Sequence, residues 1–243
     1  MYESPLYIPA GDSAVVVEIG NEISPEINRK VRNFMLALES RDIVGVIDLV
    51  PSYRSLLVCY DPLVIGIDQI TKELKEADKV SVSETVGRPK VVHVPVLYGG
   101  DAGPDLNFVG SHNGLTEQAV IDIHTGTDYL VYMLGFSPGF PYLGGMPETI
   151  STPRLDTPRT VIPAGSVGIA ENQTGVYPSA TPGGWRLIGK TPLKFFDPTV
   201  IPPALVDPGD YIRFVSITKD QYGDTQDRMA KGTYEIVTEL VAT

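Results

Sequence analysis

Residues 134–147, Leu-Gly-Phe-Ser-Pro-Gly-Phe-Pro-Tyr-Leu-Gly-Gly-Met-Pro, set the stiffest and the most permissive residue types beside aromatic rings. Proline fixes φ and cannot donate to a strand ladder, whereas glycine reaches turn conformations closed to other residues. Such a stretch reads as a rigid crossing loop between strands. The same texture runs from Gly135 to Pro208, where short apolar runs are cut by proline or glycine every few residues. That is how an all-β barrel with irregular connections is written. The loop either displays Phe140 and Tyr142 at the barrel mouth, as a pocket wall or a subunit interface, or uses both rings to close the barrel's end.

Working outward, Asp210–Val215 reads as a last barrel strand, and Thr233–Thr238 adds one more within a C-terminal tail, 221–243. On the other side, Val91–Val96 is a strand, Thr116 caps a short helix that ends at His124, and Asp128–Leu134 returns to strand. These elements define a barrel domain over 87–220. The polar, turn-rich segment Ser81–Pro89 marks a boundary. Before it, residues 1–86 alternate in type. Ala14–Ile19 is a short strand, and a helix starts at Ser24-Pro25, burying Ile27, Val31, Phe34, Met35 and Leu38 at helical spacing. Strands over 43–49 and 55–60 and a helix over 68–77 follow. Strand, helix, two strands, helix is the start of a ferredoxin-like split β-α-β fold, so the first domain is α+β.

Composition narrows the function. The chain has 243 residues, 42% of them hydrophobic, and a formal net charge of −11. That charge repels phosphate backbones in the absence of a basic stripe, which excludes nucleic acid as a partner. No apolar run is long enough to span a membrane, and the first residues lack the features of a secretory leader, so a cytoplasmic protein is expected. The single cysteine, Cys59, lies in an apolar run and reads as a packed side chain.

Several chemistries drop out. Ala164-Gly-Ser-Val-Gly168 resembles a nucleophile elbow, but alanine holds the place of the leading glycine and no helix follows, so Ser166 is a turn residue. His93, His112 and His124 form no i, i+4 ligand pair and have no cysteine partner, so no metal site is expected. Phosphate-binding and dinucleotide fingerprints are missing.

What remains is a set of unusual words in fixed order: "LGFSPGFPYLGGMP" (134–147), "TPRLDTPRTVIPAGSVGIA" (152–170), "QTGVYPSATPGGWRLIGKTPL" (173–193) and "FFDP" (195–198). With Pro95–Gly100, Gly103–Leu106 and the pairs Gly209-Asp210 and Arg213-Phe214, they resemble the family of the 5-oxoprolinase B subunit, also called allophanate hydrolase subunit 1, which includes an inhibitor of a sporulation histidine kinase. Met146 and Lys190 are minor departures from its pattern. The resemblance implies a small α+β domain followed by a cyclophilin-like barrel, similar to one half of the carboxyltransferase region of urea carboxylase. It implies partners, namely a second cyclophilin-like chain, the 5-oxoprolinase C subunit, and a third chain, the A subunit. It also implies ATP as the driving force for opening the lactam of 5-oxoproline. The alternative role is a regulator that binds a histidine kinase; a lesser one is a component related to allophanate hydrolase or urea carboxylase.

Within those words the candidate residues can be weighed individually, although no catalytic acid, base or nucleophile is identified. Arg154 and Arg159 carry planar forks of donors suited to a carboxylate or phosphate, or else pair with the chain's many acids. Gln173 and Tyr177 either orient a lactam by hydrogen bonds or satisfy loop backbone. Gly183 and Gly184 permit positive φ or close backbone approach, so that N–H groups face an anion. Trp185 packs or forms a pocket wall. His124, at a helix end, is a weaker candidate that also suits a capping role.

Overall fold

The computed structural model describes residues 2–78 and 89–241, which fall into two compact units, Met1–Arg88 and Pro89–Thr243. The boundary expected after residue 86, with nearly all of segment 81–89, lies outside the described residues.

The first unit comprises β1 (Leu6–Pro9), β2 (Ala14–Glu18), α1 (Pro25–Arg41), β3 (Val46–Pro51), β4 (Ser55–Tyr60) and α2 (Ile67–Asp78). Its antiparallel sheet has the order β1-β2-β4-β3. Ser24 caps α1 by accepting a hydrogen bond from the Ile27 N–H, with Pro25 in the first turn where its missing N–H costs nothing. The helix then lays Ile27, Val31, Phe34 and Leu38 into a core with Val15, Val17, Leu56, Val58, Ile70 and Leu74. Met35 stays half-buried at the edge of this core. The sheet also includes β1, which was not anticipated; it forms a hairpin with β2 by pairing Leu6 with Glu18 and Pro9 with Val15.

The second unit comprises β5 (Lys90–Tyr98), α3 (Leu106–Asn113), α4 (Glu117–Thr125), β6 (Asp128–Leu134), β7 (Pro141–Gly144), β8 (Arg159–Ile162), β9 (Ser166–Ala170), β10 (Gln173–Val176), β11 (Thr181–Gly183), β12 (Arg186–Lys190), β13 (Tyr211–Ser216), α5 (Lys219–Ala230) and β14 (Thr238–Leu240). Its main sheet runs β10-β9-β12-β5-β13-β6-β7, with β14 also paired to β5. The end strands β10 and β7 approach one another, a Cβ placed on Gly175 lying 3.5 Å from the Pro141 carbonyl, so the sheet is a nearly closed barrel. Val94, Val131, Ile169, Ile188, Ile212 and Phe214 fill it.

Two expectations are corrected here. The second unit is not all-β, because α3, α4 and α5 decorate the barrel. The tail carries helix α5, and its strand lies at 238–240 instead of 233–238. Pro95 sits within β5 yet costs no ladder bond. Its nitrogen faces the edge between the β14 pairing, which ends at Val92, and the β12 pairing, which begins at Leu97. Loop 99–105 folds onto β12 through Gly99 N–H to Ile188 O (3.1 Å) and Asp105 N–H to Leu187 O (2.9 Å).

Candidate functional site

A cavity of about 230 Å³ is lined by Phe136 and Phe140 from the β6–β7 turn, Tyr142 on β7, Gln173 on β10, and Arg154, Tyr177, Pro182, Gly183, Gly184 and Trp185. Every candidate site residue in the loop words lines this cavity except Arg159; the weaker candidate His124 also lies elsewhere. Side chains drawn from Phe136 through Trp185 thus converge, because β8 and β11 form a separate two-stranded sheet pairing Arg159 with Gly183 and Ile162 with Thr181. The Leu155 N–H donates to Gly184 O at 2.7 Å, which ties the Arg154 segment to this sheet.

The rings are organised around Phe140. Its ring lies edge-on to those of Phe136, Tyr142, Tyr177 and Trp185, with centroid separations of 5.3–5.6 Å, the geometry that aromatic quadrupoles favour. Phe140 is only 3% exposed, so the crossing loop buries this ring in the cavity wall instead of displaying it. The displayed ring is Phe136, 67% exposed and held at φ +59°, a left-handed conformation unusual for a phenylalanine. Sequence reasoning missed Phe136, although it stands in the quoted loop.

Polar groups are few. Tyr177 is buried, and desolvation pushes its phenol up to about 12 against the opposing pull of Arg154 and Arg159. It therefore keeps its proton at neutral pH and is a hydrogen-bond donor. Gly183 is required by close approach, since a Cβ there would lie 2.7 Å from both the Tyr177 hydroxyl and Ile162. Neither Gly183 nor Gly184 takes positive φ. Arg154 is exposed at the rim. The site thus offers one guanidinium, one protonated phenol and one amide on aromatic walls, and its lining carries no carboxylate, imidazole or thiol. It can bind and orient a small anion.

Arg159 is engaged elsewhere. Its Nη2 donates to Asp105 Oδ1 at 2.9 Å and its Nη1 to the Trp185 carbonyl at 3.4 Å. Asp105 is 8% exposed and was not singled out from sequence. The remaining signal for it was the second of two acids, after Asp101, in a glycine-rich word, Gly99–Asp105.

His124 is buried in the barrel core, between Tyr98 Oη (2.7 Å from Nδ1) and Thr174 Oγ1 (2.8 Å from Nε2). Thr174 already donates its single hydroxyl proton to Gly168 O, so Nε2 carries the imidazole proton and Nδ1 accepts from Tyr98. Burial lowers its pKa to about 3. Ser166, expected in a turn, opens β9 and is buried. Among the described residues no group of three or more His, Cys, Asp or Glu side chains could hold a metal ion, and no helix is long and apolar enough to cross a membrane.

Comparison with known proteins places this geometry. Residues 5–206 match the family model described as carboxyltransferase domain, subdomain C and D. The chain is 44% identical over 222 residues to the 5-oxoprolinase B subunit of Bacillus subtilis, covering 87% of this chain and 92% of that protein. A conserved uncharacterized protein from Pyrococcus horikoshii is 48% identical, with 89% of this chain and all of that chain covered and a TM-score of 0.54. Urea carboxylase of Kluyveromyces lactis shares the fold at a TM-score of 0.78 with 21% identity, 97% of this chain aligning with 24% of that larger one. From the matched length and the identities of these relatives, the chain belongs to the family of the carboxyltransferase domain, subdomains C and D.

Proposed function

We propose that this chain is the B subunit of a 5-oxoprolinase, which opens the lactam of 5-oxoproline to glutamate at the expense of ATP together with the A and C subunits in the cytoplasm. The observation that carries this reading is the cavity, which pairs anchoring groups for a small anion with no carboxylate, imidazole or thiol in its lining. Such a chain contributes binding and needs a companion for the chemistry. Arg154 would pair with the substrate carboxylate, and Tyr177 and Gln173 would hydrogen-bond the lactam amide. The walls exclude water around it.

ATP would convert the inert amide into a reactive one. Phosphoryl transfer to the lactam oxygen releases ADP; water adds at that carbon and the ring C–N bond breaks to leave an acyl phosphate, which a second water splits to glutamate and phosphate. At about 230 Å³ this cavity lies below the roughly 300–1,000 Å³ that holds drug-sized ligands, so it takes the small substrate and not the nucleotide. The larger unit is read as a cyclophilin-like barrel, supported by its near closure. The smaller is read as ferredoxin-like; β2 and β3 run in the same direction with β4 between them, and β1 supplies the outer strand.

The test is reconstitution. Purified alone, the chain should release no glutamate from 5-oxoproline and ATP, and co-expression with the A and C subunits should restore release. In that complex Arg154→Ala should raise KM for 5-oxoproline about tenfold or more, the scale of one charge-assisted hydrogen bond, with assembly intact. A reconstituted set that stays silent would remove the reading.

A further inference from the structure

Resting on the 5-oxoprolinase reading, we infer that Asp105 and Arg159 form a positioning bracket behind the cavity, which holds the Trp185 backbone in register and through it seats the Trp185 ring in the cavity wall.

The bracket starts from a buried carboxylate. Asp105 Oδ2 accepts the Leu187 N–H at 2.6 Å and Oδ1 accepts Arg159 Nη2 at 2.9 Å. The Asp105 N–H returns to Leu187 O at 2.9 Å, so backbone and side chain grip the same residue of β12. Arg159, on β8, continues from Asp105 to the Trp185 carbonyl. The Trp185 ring lines the cavity and meets the rings of Phe140 and Tyr177 edge-on, with centroids 5.6 and 6.1 Å away. The pair thus spans from loop 99–105 to the cavity wall, crossing from the barrel strand β12 to the small β8–β11 sheet.

Neither Asp105 nor Arg159 lines the cavity, so neither is a substrate ligand. Their shared feature is that each holds the segment Trp185–Leu187 by a charge-assisted bond, the stronger class of hydrogen bond. A buried carboxylate and a half-buried guanidinium left without each other would let that segment shift. A shift at Trp185 displaces its ring from those of Phe140 and Tyr177 and opens the cavity wall.

The experiment measures the reconstituted complex with Asp105→Asn, Arg159→Gln, Trp185→Leu and the Asp105→Asn/Trp185→Leu double variant. Asp105→Asn and Arg159→Gln should each raise KM for 5-oxoproline about tenfold, with kcat within about twofold and assembly retained. Added to Trp185→Leu, Asp105→Asn should have no further effect on KM, because both act through the Trp185 ring. Fully additive effects, or a loss of kcat and assembly together, would overturn the bracket. Should Asp105→Asn not fold, Arg159→Gln carries the same comparison. A second readout needs no turnover. Trp185 is the only tryptophan in the chain, and in the purified polypeptide both bracket variants should shift its emission to the red and increase its quenching by acrylamide. Unchanged emission and quenching would refute the bracket. A wild-type complex that released no glutamate would instead remove the 5-oxoprolinase reading, while the fluorescence comparison still decided this one.

Discussion

His124 is wholly enclosed, and its ring nitrogens are both used, one donating to Thr174 and one accepting from Tyr98. The folded chain holds the imidazole at a pKa of about 3, below its ordinary 6.5, because burial penalises the cation. The unfolded chain therefore takes up a proton below pH 6.5 that the folded one refuses. Stability from this group is complete above pH 6.5 and falls as the pH drops toward 3, by up to about 1.4 kcal/mol per pH unit. Between pH 6.5 and 5, above most carboxylate titrations, wild-type unfolding free energy should decline, and His124→Gln should flatten that slope; equal slopes by urea titration would contradict the buried-neutral assignment. A helix-end histidine had suggested a cap or dipole partner. Its true partners lie 26 and 50 residues away, beyond any local pattern. Asp105 escaped for the same reason, since Arg159 and Leu187 are 54 and 82 residues distant. Arg154, Gln173, Tyr177 and Trp185 stood in distinctive words, and those words converge on the cavity.

At the scale of elements, the decisive contact is loop 99–105 against β12. A Cβ on Gly103 would lie 2.0 Å from the Ile188 carbonyl oxygen, an overlap with rigid strand backbone. Gly103→Ala should therefore destabilise the larger unit by about 1–3 kcal/mol, the usual range for overpacking, read as a lowered Tm. It should also displace Asp105 and copy the Trp185 emission shift of the bracket variants. Elements with strong periodicity were legible, as α1 shows: its cap, first-turn proline and apolar face all announced it. Helix α5 was not, because only Thr225 on it is buried and no apolar stripe marks it. Its signature was the capping box of Thr218 and Gln221, a reciprocal pair of hydrogen bonds with no hydrophobic component. Strand β1, four residues ending in proline, lacks the length that makes alternation readable.

The molecule as a whole has two separate cores, one built from residues 15–77 and the other, with its satellite around Phe140, from 92–214. Each buries its own apolar set, so a polypeptide spanning 89–243 should fold alone and unfold cooperatively with Trp185 as its optical probe; a non-cooperative, dye-binding product would show that the first unit is needed. The change in texture across the chain suggests a division of this kind, whereas the near closure of the barrel depends on β10 meeting β7 and has no local signature. Strand β14 pairs with the opening residues of β5, Leu240 with Lys90, and the Val241 N–H donates to Pro89 O at 3.0 Å. The polypeptide consequently enters and leaves this unit at one spot, like a loop of thread pulled through a single eyelet. Splicing it between two other folded segments would stretch neither, and a few residues joining 241 to 89 would yield a circular permutant whose new ends can be cut at an exposed turn.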